Sequence, residues 1–590
     1  MTAGSDTTPS AQVLATAGHV DHGKSTLVRT LTGVDPDRWA EEKQRGLTID
    51  LGFAHCVLPS GRGVGFIDVP GHVRFLKNML AGVGAIDACL FVVAATEGWK
   101  PQSEEHLRIL ELLGVSHGVI ALTKVGLVDD EWAELARLDV EDHVAGTFLE
   151  GAEIVLIDAL TNRGVDDLRD ALDRCLAATP LASDRGRPRL WIDRSFAAKG
   201  AGTIVTGTLS GGAFAVDDLV DIVGPIVGHK SARIRSLQSH GRSVRSVGPG
   251  NRVAINLNGI SHDELGRGDA IVHAGRWQHS TRFDARLQTL AALDHDVSRR
   301  GAYAVYIGAG EHPVKLRVLG PTTVPPGSAG FVRLHLPVAL TLQPGDRFIV
   351  RDHGREETVG GGEVLDVSPA KPASKANPQA GVEHIVDERA WVKLDLLDRL
   401  SGGETWAGLV VDGFAVSPGA LETTRAKVLE RINTSKDPLG LDPALLSEHE
   451  RSVIPLMHDI GVRIEQGRVV QGEVRDSLAD HVFVRALIDA GFAPPDPAGV
   501  DRAELRELVR RKLIVEQEGL YFAPVSIDAA ARVVAQLLAE NPDGVTVAQV
   551  RDGLGVTRKH ALPLAAILDA TGVTRRRGDL RIPGPRLPKL

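Results

Sequence analysis

The feature that most constrains this chain is the run GHVDHGKS at residues 18–25, which follows an apolar segment and precedes an amphipathic one. The pattern G-x-x-x-x-G-K-[ST] between a strand and a helix is typical of a loop whose backbone N–H groups surround phosphate oxygens. We expect Lys24 to neutralise the β- and γ-phosphates of a nucleotide and the Ser25 hydroxyl to bind Mg²⁺. The same loop supplies four further predicted nucleotide-binding residues: Asp21, His22, Gly23 and Thr26.

A second motif, FIDVPGH at residues 66–72, is typical of a strand that ends in Asp-x-x-Gly. We expect Asp68 to hold Mg²⁺ through water and the Gly71 N–H to sense a γ-phosphate. Between the two motifs lies RGLTI at residues 45–49, in a segment long enough for a switch loop. Thr48 is therefore a candidate Mg²⁺ ligand when a triphosphate is bound. Taken singly, Asp68 could be a strand-end cap and Thr48 a turn residue, but the order of the three motifs favours a nucleotide site.

Together these motifs resemble those of the elongation factor Tu family of translational GTPases. The resemblance implies binding of GTP and GDP with Mg²⁺, and hydrolysis of GTP. It identifies His72 as the hydrolysis residue, which would align the attacking water and act electrostatically. It also implies that Val20 and Leu47 screen this histidine, and that Asp21 helps to hold a monovalent cation. The alternative for His72 is a solvent-facing loop histidine.

The base-recognition loops depart from that family. Residues 122–126 read LTKVG where the family has Asn-Lys-x-Asp after a buried strand, so Gly126 replaces the aspartate that accepts from guanine N1 and N2. Thr123 and Lys124 remain, and the Lys124 stem is expected to pack over the purine. The next loop reads DAL at residues 158–160, and the resemblance implies that the Ala159 N–H donates to guanine O6.

Two acidic residues are candidates for the missing acceptor. Asp158 is one, and Asp129, two residues beyond Leu127, is the other. A further possibility is that Asp158 lies away from the base and that selectivity among bases is relaxed. The predicted base-recognition residues are Thr123, Lys124, Asp158, Ala159 and Leu160.

The pattern of apolar and turn residues changes along the chain and predicts several domains, as expected for 590 residues. Residues 1–184 alternate apolar strands with helices, which we expect at 24–32, 103–113 and 165–177, and so predict an α/β P-loop GTPase domain. Short β-type runs with glycine-rich turns predict two β-barrel domains, 185–277 and 278–370. Helices interleaved with hairpins at 461–470, 513–522 and 573–582 predict a tandem winged-helix domain over 371–590, with the last module at about 530–590. An irregular α+β domain is the alternative for this last region.

Further segments resemble the selenocysteine-specific elongation factors in particular. They include IDRSF at 192–196, GNRVA at 250–254 and VTRKHALPL at 556–564. This resemblance implies that the first barrel receives the aminoacyl end of selenocysteinyl-tRNA and that the chain delivers it to the ribosome at UGA codons.

A selenol ionises more readily than a thiol, so we expect the selenocysteine side chain to be an anion. Nearby cations would stabilise this selenolate as they stabilise a thiolate. Arg194 and Arg252 are on neighbouring strands by resemblance, and Asp193 could orient one guanidinium. These three residues are the predicted selenocysteine pocket. The alternative is a surface network of one aspartate and two arginines without a ligand.

Positive charge is concentrated at the C-terminus, although the whole chain has a net charge of −9. Residues 545–590 contain nine basic and three acidic residues, which suggests a polyanion site. In bacterial relatives the winged helices grip an mRNA hairpin, and phosphate contacts of that kind are the expected role here. The predicted RNA-binding residues are Arg558, Lys559, Arg575, Arg576, Arg577 and Arg581. A solvated basic wing is the alternative.

Composition narrows the remaining classes. The three cysteines match no metal-ligand spacing, and we find neither a secretory signal nor a membrane-spanning run, so we expect a cytoplasmic protein, without membrane contact and monomeric. Two other functions remain open from the sequence. One is a general or other translational GTPase, which would not explain the long C-terminal region. The other is a nucleic-acid-binding regulator with a degenerate GTPase core, suggested by Gly126.

Overall fold

The computed structural model describes residues 12–36, 50–70, 86–198, 202–437, 439–472 and 481–589. Its N-terminal strands are apolar runs of six or seven residues, buried on both faces as in parallel sheets covered by helices. They form a six-stranded sheet in the order β2-β3-β1-β4-β5-β6, in which only β2 is antiparallel to its neighbour. The strands are β1 Gln12–Ala17, β2 Gly52–Val57, β3 Gly63–Asp68, β4 Ala88–Ala94, β5 Gly118–Thr123 and β6 Ile154–Leu156.

Four described helices cover this sheet: α1 Lys24–Thr32, α2 Pro101–Leu112, α3 Asp130–Val144 and α4 Val165–Ala178. Two apolar clusters fill the two sides, one including Phe91 and the other Phe66, both fully buried. The predicted helix at 24–32 is confirmed, and those at 103–113 and 165–177 lie within two residues of the observed bounds. Because β1 and β3 are parallel neighbours, the loop after β1 and Asp68 at the end of β3 lie at the same edge.

The next region is antiparallel throughout. Its main sheet runs β11-β16-β7-β9-β15-β12-β13, and the added pairing of β11 with β12 closes the sheet into a barrel. Its strands are β7 Arg189–Trp191, β8 Arg194–Ala198, β9 Gly202–Ser210, β10 Phe214–Ala215, β11 Leu219–Gly224, β12 Gly228–Ser239, β13 Arg242–Val244, β14 Ser246–Val247, β15 Arg252–Asn258 and β16 Ala270–His273.

A second antiparallel sheet follows in the order β20-β19-β24-β25-β17-β23-β21. Its core holds Phe283 against Phe348, with ring centroids 5.8 Å apart in an edge-to-face arrangement. The strands of this region are β17 His279–Thr289, β18 Val297–Ser298, β19 Tyr303–Ile307, β20 Gly310–Pro313, β21 Lys315–Leu319, β22 Thr323–Val324, β23 Ala329–Thr341, β24 Arg347–Asp352 and β25 Glu357–Asp366.

Beyond residue 380, helices alternate with short strands, as predicted. The helices are α5 Val382–Arg389, α6 Leu394–Ser401, α7 Pro418–Thr434, α8 Glu448–Val453, α9 Val482–Asp489, α10 Arg502–Arg510, α11 Pro524–Glu540, α12 Val547–Leu554 and α13 Arg558–Ala570. The strands are β26 Trp391–Lys393, β27 Val410–Val411, β28 Phe414–Val416, β29 Val462–Glu465, β30 Arg468–Gln471, β31 Val515–Gln517, β32 Leu520–Phe522, β33 Val545–Thr546, β34 Thr574–Arg577 and β35 Leu580–Pro583. All three predicted hairpins are present.

The described residues up to Leu421 form one compact unit and those from Glu422 onward form another. Within the first unit, α5, α6 and the strands around Ala415 share an apolar cluster with the second antiparallel sheet. Within the second unit, α11, α12 and α13 enclose a core with Val545. None of the described helices combines the length and the apolar character that crossing a bilayer requires.

Candidate functional site

The loop between β1 and α1 depends on glycine. Gly18 has φ 125°, and a Cβ there would lie 2.1 Å from the carbonyl oxygen of Val92, so no larger residue fits. Gly23, at φ 90°, ends the loop in a left-handed conformation directly before the helix. The loop therefore turns sharply onto the N-terminus of α1, where free backbone N–H groups favour a phosphate.

Lys24 is buried under this loop. Its Nζ donates to the carbonyl oxygens of Gly18, at 2.9 Å, and His19, at 2.8 Å. Burial lowers the pKa of Lys24 to about 8, against the opposing charges of Asp68 and Asp21. The Lys24 ammonium group thus lies beneath the loop with little water around it. The charge of a bound phosphate would offset that loss of solvation.

Asp68 is fully buried and receives two hydroxyl groups. Ser25 Oγ donates to Oδ2 at 2.6 Å, and Thr16 Oγ1 donates to Oδ1 at 2.7 Å. Thr16 in turn accepts from the Val69 N–H at 3.1 Å, which fixes the end of β3. A carboxylate and a hydroxyl in direct contact are the hard oxygen donors that suit Mg²⁺, so these residues fit that ion.

The floor of the loop contains two neutral histidines. His22 Nδ1 lies 3.3 Å from the carbonyl oxygen of Val92, and burial lowers the pKa of His22 to about 4. His106, on α2, accepts from the Gly18 N–H at 3.1 Å, and burial lowers its pKa to about 3. The sequence reasoning missed His106. The feature of the sequence that could have indicated His106 is its position on the apolar face of an amphipathic helix, beside Leu107 and Leu110.

The remaining loop residues are more exposed. Asp21 is exposed at φ 63°, and Thr26 is exposed in the first turn of α1. Four residues named from the motifs, Leu47, Thr48, Gly71 and His72, lie outside the described residues, and their roles stay predictions.

The first predicted base-recognition loop follows β5. Thr123 Oγ1 donates to the carbonyl oxygen of His22 at 2.7 Å and so joins this loop to the phosphate loop. Lys124 has φ 60°, and its Nζ lies 3.1 Å from Glu97 Oε1. Thr123 therefore lies beside the phosphate loop, and Lys124 follows it directly in the chain.

The two candidate acceptors differ in their surroundings. A Cβ on Gly126 would lie only 2.5 Å from Asp158 Oδ2, so Asp158 projects into the space of the missing side chain. Its carboxylate accepts from the Leu160 N–H at 3.1 Å and from Thr161 Oγ1 at 2.7 Å. Asp129 instead caps α3, accepting from the Trp132 N–H at 2.8 Å. Ala159 and Leu160 follow Asp158 in the same loop.

Two of the three predicted pocket residues of the first barrel, Arg194 and Arg252, contact the N-terminal α/β region. Arg252 donates to both carboxylate oxygens of Asp193, at 2.6 and 3.0 Å. The Arg252 Cζ lies 3.3 Å from the centroid of the Phe53 ring, and the Arg194 Cζ lies 4.8 Å from it. Arg194 also donates to the carbonyl oxygen of Leu51. No motif in the sequence singles out Phe53, so its contact with both guanidiniums comes from the structure.

A further ion pair ties the same segment to the barrel. Arg267 Nη2 lies 2.8 Å from Asp50 Oδ1, and Arg194 Nη2 lies 3.9 Å from Asp50 Oδ2. Burial disfavours the charged form of Asp50, but Arg267 and then Arg194 outweigh it, so the Asp50 pKa is lowered. Residues 50–53 are thus held against the barrel by charge and by ring contacts.

The C-terminal basic residues divide into two groups. Arg558 and Lys559 are exposed in the first turn of α13, which begins at Arg558. Three exposed arginines follow on β34: Arg575, Arg576 and Arg577. A cleft of about 430 Å³ lies beside Arg551, Arg558 and Arg576.

Arg581 differs from the other predicted RNA-binding residues. Its side chain is 9 % exposed, and its Nε donates to Asp569 Oδ2 at 3.1 Å. The other oxygen of Asp569 accepts from Thr574 Oγ1 at 2.6 Å, at the start of β34. Arg581 therefore holds the hairpin onto α13. Successive side chains of β35 point to opposite faces, and that of Arg581 points inward, so its role is structural.

Matches to known proteins cover 96–97 % of this chain. Residues 10–178 match the model of the elongation factor Tu GTP binding domain, and residues 281–371 match that of the selenocysteine-specific elongation factor beta-barrel domain. Residues 536–582 match the winged helix of elongation factor SelB. A crystal structure of a bacterial selenocysteine-specific elongation factor, EF-Sec, is similar at a TM-score of 0.69 and 26 % identity, covering 97 % of this chain and 99 % of that one.

Curated relatives agree with these matches. The selenocysteine-specific elongation factor of Desulfomicrobium baculatum is 32 % identical, covering 96 % of this chain and 99 % of the relative. That of Escherichia coli strain K12 is 31 % identical, covering 96 % of this chain and 98 % of the relative. With its GTPase domain, β-barrel domains and winged helix, the chain therefore belongs to the selenocysteine-specific elongation factor family of translational GTPases.

Proposed function

We propose that this chain binds GTP together with selenocysteinyl-tRNA and delivers that tRNA to the ribosome at UGA codons marked by an mRNA hairpin, with hydrolysis of GTP. The observation that carries the proposal is the contact of Arg194 and Arg252 with one ring, that of Phe53, at the junction of the barrel and the GTPase region. We also propose four domains, with boundaries after residues 184, 277 and 370.

The barrel cations suit an anionic side chain. Arg252 is held by both oxygens of Asp193, so its guanidinium is oriented before any ligand arrives. Thr206 Oγ1 donates to Asp193 Oδ1 at 2.7 Å and fixes the carboxylate in turn. A selenolate near these two guanidiniums gains charge stabilisation that the neutral hydroxyl of a seryl group does not gain. Selection by charge would therefore separate two aminoacyl groups of nearly equal size.

The same contacts link the pocket to the nucleotide. Asp50, Leu51 and Phe53 come directly after the motif that contains Thr48, the proposed Mg²⁺ ligand. A shift of residues 50–53 would remove the ring from both guanidiniums and break the bonds of Arg194 and Arg267. Release of the tRNA after GTP hydrolysis would then follow from one movement.

In the nucleotide site we assign roles to this chain's own residues. Lys24 and the loop N–H groups hold the phosphates, and Ser25 and Asp68 hold Mg²⁺, which neutralises phosphate charge when bound. Lys124 packs over the base, and the Ala159 N–H and Asp158 carboxylate donate to and accept from guanine. His72 aligns the attacking water, and Thr48 and Gly71 respond to the γ-phosphate.

For the mRNA hairpin we propose Arg558, Lys559 and the arginines of β34 as phosphate contacts. They are exposed on one small module whose core is closed by α11, α12 and α13. Exposed guanidiniums bind phosphates by charge and forked hydrogen bonds, and an RNA hairpin offers both strands of its backbone. Arg581 is left out of this set because Asp569 already binds it.

The pocket is tested by protection of the aminoacyl ester from hydrolysis. Intact protein with GTP is presented with selenocysteinyl-tRNA or seryl-tRNA, and the rate of ester loss gives the affinity for each. Arg252→Ala should weaken the selenocysteinyl complex by about 1.5–3 kcal/mol, the value of a hydrogen bond to a charged group, and the seryl complex much less.

The matched control is Arg235→Ala, which removes an exposed arginine of the same barrel on β12 and should change neither complex. Equal loss for both tRNAs in Arg252→Ala would mean that Arg252 supports the barrel rather than selecting the amino acid. Equal affinity of the unaltered protein for both tRNAs would refute the pocket.

A further inference from the structure

We propose that Asp221, His229 and His279 form a binding site for one divalent transition-metal ion of the zinc class. One potential ligand atom from each residue lies within 4.8 Å of the other two. These three residues belong neither to the nucleotide site, nor to the predicted selenocysteine pocket, nor to the predicted RNA-binding residues. The proposal does not depend on the function proposed above.

Strand pairing brings two of the residues together. In the antiparallel pair of β11 and β12, Asp221 faces Ser231, and His229 lies two positions before Ser231. Residues two apart on a strand share a face, so His229 and Asp221 are diagonal neighbours on one side of the sheet. Their closest atoms, His229 Nε2 and Asp221 Oδ1, are 3.6 Å apart.

His279 reaches the cluster from the other sheet, as the first residue of β17. Its ring centroid lies 5.3 Å from that of His229, with a tilt of 47°. Its Nδ1 is buried and has no hydrogen-bond partner among the described residues. A buried ring nitrogen without a partner is costly, and a bound ion would supply the partner that this nitrogen lacks.

The carboxylate is oriented in advance. Ser231 Oγ donates to Asp221 Oδ1 at 2.7 Å, and the Gly275 N–H donates to Oδ2 at 3.0 Å. Metal-binding carboxylates and imidazoles are usually oriented by such outer hydrogen bonds. Gly275 lies in the connection between β16 and β17, so the same aspartate already anchors the chain where it passes from one sheet to the next.

The donor set indicates which ion would bind. Two imidazoles and one carboxylate suit Zn²⁺, Co²⁺ or Ni²⁺, whereas Mg²⁺ and Ca²⁺ prefer oxygen alone. Ligand atoms around tetrahedral Zn²⁺ are roughly 3.3 Å apart, given metal–ligand distances of about 2.0–2.1 Å. The side chain of His229 is 56 % exposed, so a small inward rotation of its ring meets little packed protein and would close the difference. Water would complete the coordination, and the ion would join the two sheets.

Cobalt is the probe, because its visible absorption reports the ligands. Intact, nucleotide-free protein is treated with a chelator, dialysed and titrated with Co²⁺. We expect one equivalent to bind with a visible d–d spectrum, to be displaced by Zn²⁺, and to be unaffected by excess Mg²⁺. Addition of Zn²⁺ should also raise the temperature of unfolding, because the ion binds the folded state.

Three variants locate the ion. His229→Ala and His279→Ala should each weaken Co²⁺ binding by more than about tenfold, the lower end of what loss of even an outer hydrogen bond costs at a metal site. His262→Ala, which removes an exposed histidine of the same barrel, should bind Co²⁺ as the unaltered protein does. GTP binding should be unchanged in all three, which shows that they are folded.

His229 is exposed, so His229→Ala carries the test even if His279→Ala unfolds. Unchanged affinity in His229→Ala would overturn the proposal. So would the absence of any spectral change in the unaltered protein, or a near-ultraviolet thiolate band showing that Cys56 or Cys175 binds the metal instead.

Discussion

The carboxylate of Asp158 occupies the space into which a side chain at Gly126 would project, because a Cβ at position 126 would lie 2.5 Å from Asp158 Oδ2 and 3.0 Å from its Cγ. The two positions are 32 residues apart in sequence and belong to the two loops expected to surround the base. A side chain lost from one loop is thus replaced in space by a side chain from the other.

We therefore predict that Asp158→Ala weakens guanine nucleotides selectively. Losing an acceptor for two N–H donors should cost about 1.5–3 kcal/mol, or roughly 10–150-fold in the dissociation constant of GDP. Inosine diphosphate, which lacks the 2-amino group, should lose less. Fluorescence competition with unlabelled nucleotides measures both.

Gly126→Asp alone should also weaken GDP binding, since its new side chain meets Asp158, whereas Gly126→Asp combined with Asp158→Ala should recover affinity. Asp129→Ala is the matched control: it removes the cap of α3 and should lower stability without changing base selectivity. An equal loss of GDP and IDP affinity in Asp158→Ala would contradict the assignment.

A second prediction concerns proton uptake by Lys24. In the free protein its pKa is lowered to about 8 by burial, and phosphate charge should raise it again. Below pH 8 the group is charged in both states. Between pH 8 and about 10.5, its ordinary value, the free protein has lost a proton that the nucleotide complex retains. Binding of GDP should therefore take up close to one proton at pH 9 and almost none at pH 6.5.

Calorimetry in two buffers of different ionisation enthalpy measures this uptake. Folding should show the same titration. Between pH 8 and about 10.5 the unfolded chain binds more protons than the folded one, so the contribution of Lys24 to the free energy of unfolding rises with pH there. Lys24→Arg supplies a cation that does not titrate and should abolish the uptake at saturating nucleotide. Uptake that is equal at both pH values would exclude Lys24 as its source.

The third prediction concerns the ion pair between Arg189 and Asp346, which joins the first barrel to the following sheet. Both N–O distances are 2.6 Å, and the side chains are 9 % and 8 % exposed. Asp346→Asn leaves a guanidinium buried without its charge partner and should cost about 3–5 kcal/mol. Thermal unfolding of the intact protein should show a clearly lower midpoint.

Replacing both partners, in Arg189→Met with Asp346→Leu, should cost less than Asp346→Asn alone, because no unpaired charge remains buried. Lys230→Ala breaks the exposed pair with Glu264 in the same barrel and should leave the midpoint nearly unchanged. If the double variant were less stable than Asp346→Asn, the unpaired buried guanidinium would not be the main source of the loss.

The fourth prediction is that hairpin binding falls steeply with salt and that each exposed arginine of β34 contributes to the slope. Arg577→Ala should lower the slope of log K against log salt by about 0.7–0.9, the value for one phosphate contact. Binding of the intact protein to an mRNA hairpin is followed by fluorescence anisotropy at several salt concentrations.

Arg502→Ala, an exposed arginine on α10 of the same unit, should leave the slope unchanged. Arg581→Ala should lower the thermal stability of the module rather than the slope, because its partner is Asp569. A hairpin affinity that does not change with salt would argue against phosphate contacts altogether.

Local patterns were sufficient for the elements that the sequence predicted. The helix at 24–32 needs only its glycine loop and apolar spacing, and the hairpin at 573–582 needs only alternation around Gly578. Arg581 shows the limit of such reasoning. It is one of a run of basic residues, but alternation along β35 turns it inward to Asp569, a contact that depends on how α13 packs.

The sequence alone determined which side chains are available for the chemistry: the glycine loop at 18–25, the carboxylate of Asp68, predicted to hold a metal, and the cations of Arg194 and Arg252. The sequence encodes these features because each depends on residues that are close together in the chain or on a motif of fixed spacing. The tertiary structure decided the partners: His106 under Gly18, Phe53 against two guanidiniums, and Asp158 in the space of position 126. Each joins separate elements or loops, and such contacts are set by the packing of whole sheets and helices, which no local pattern specifies.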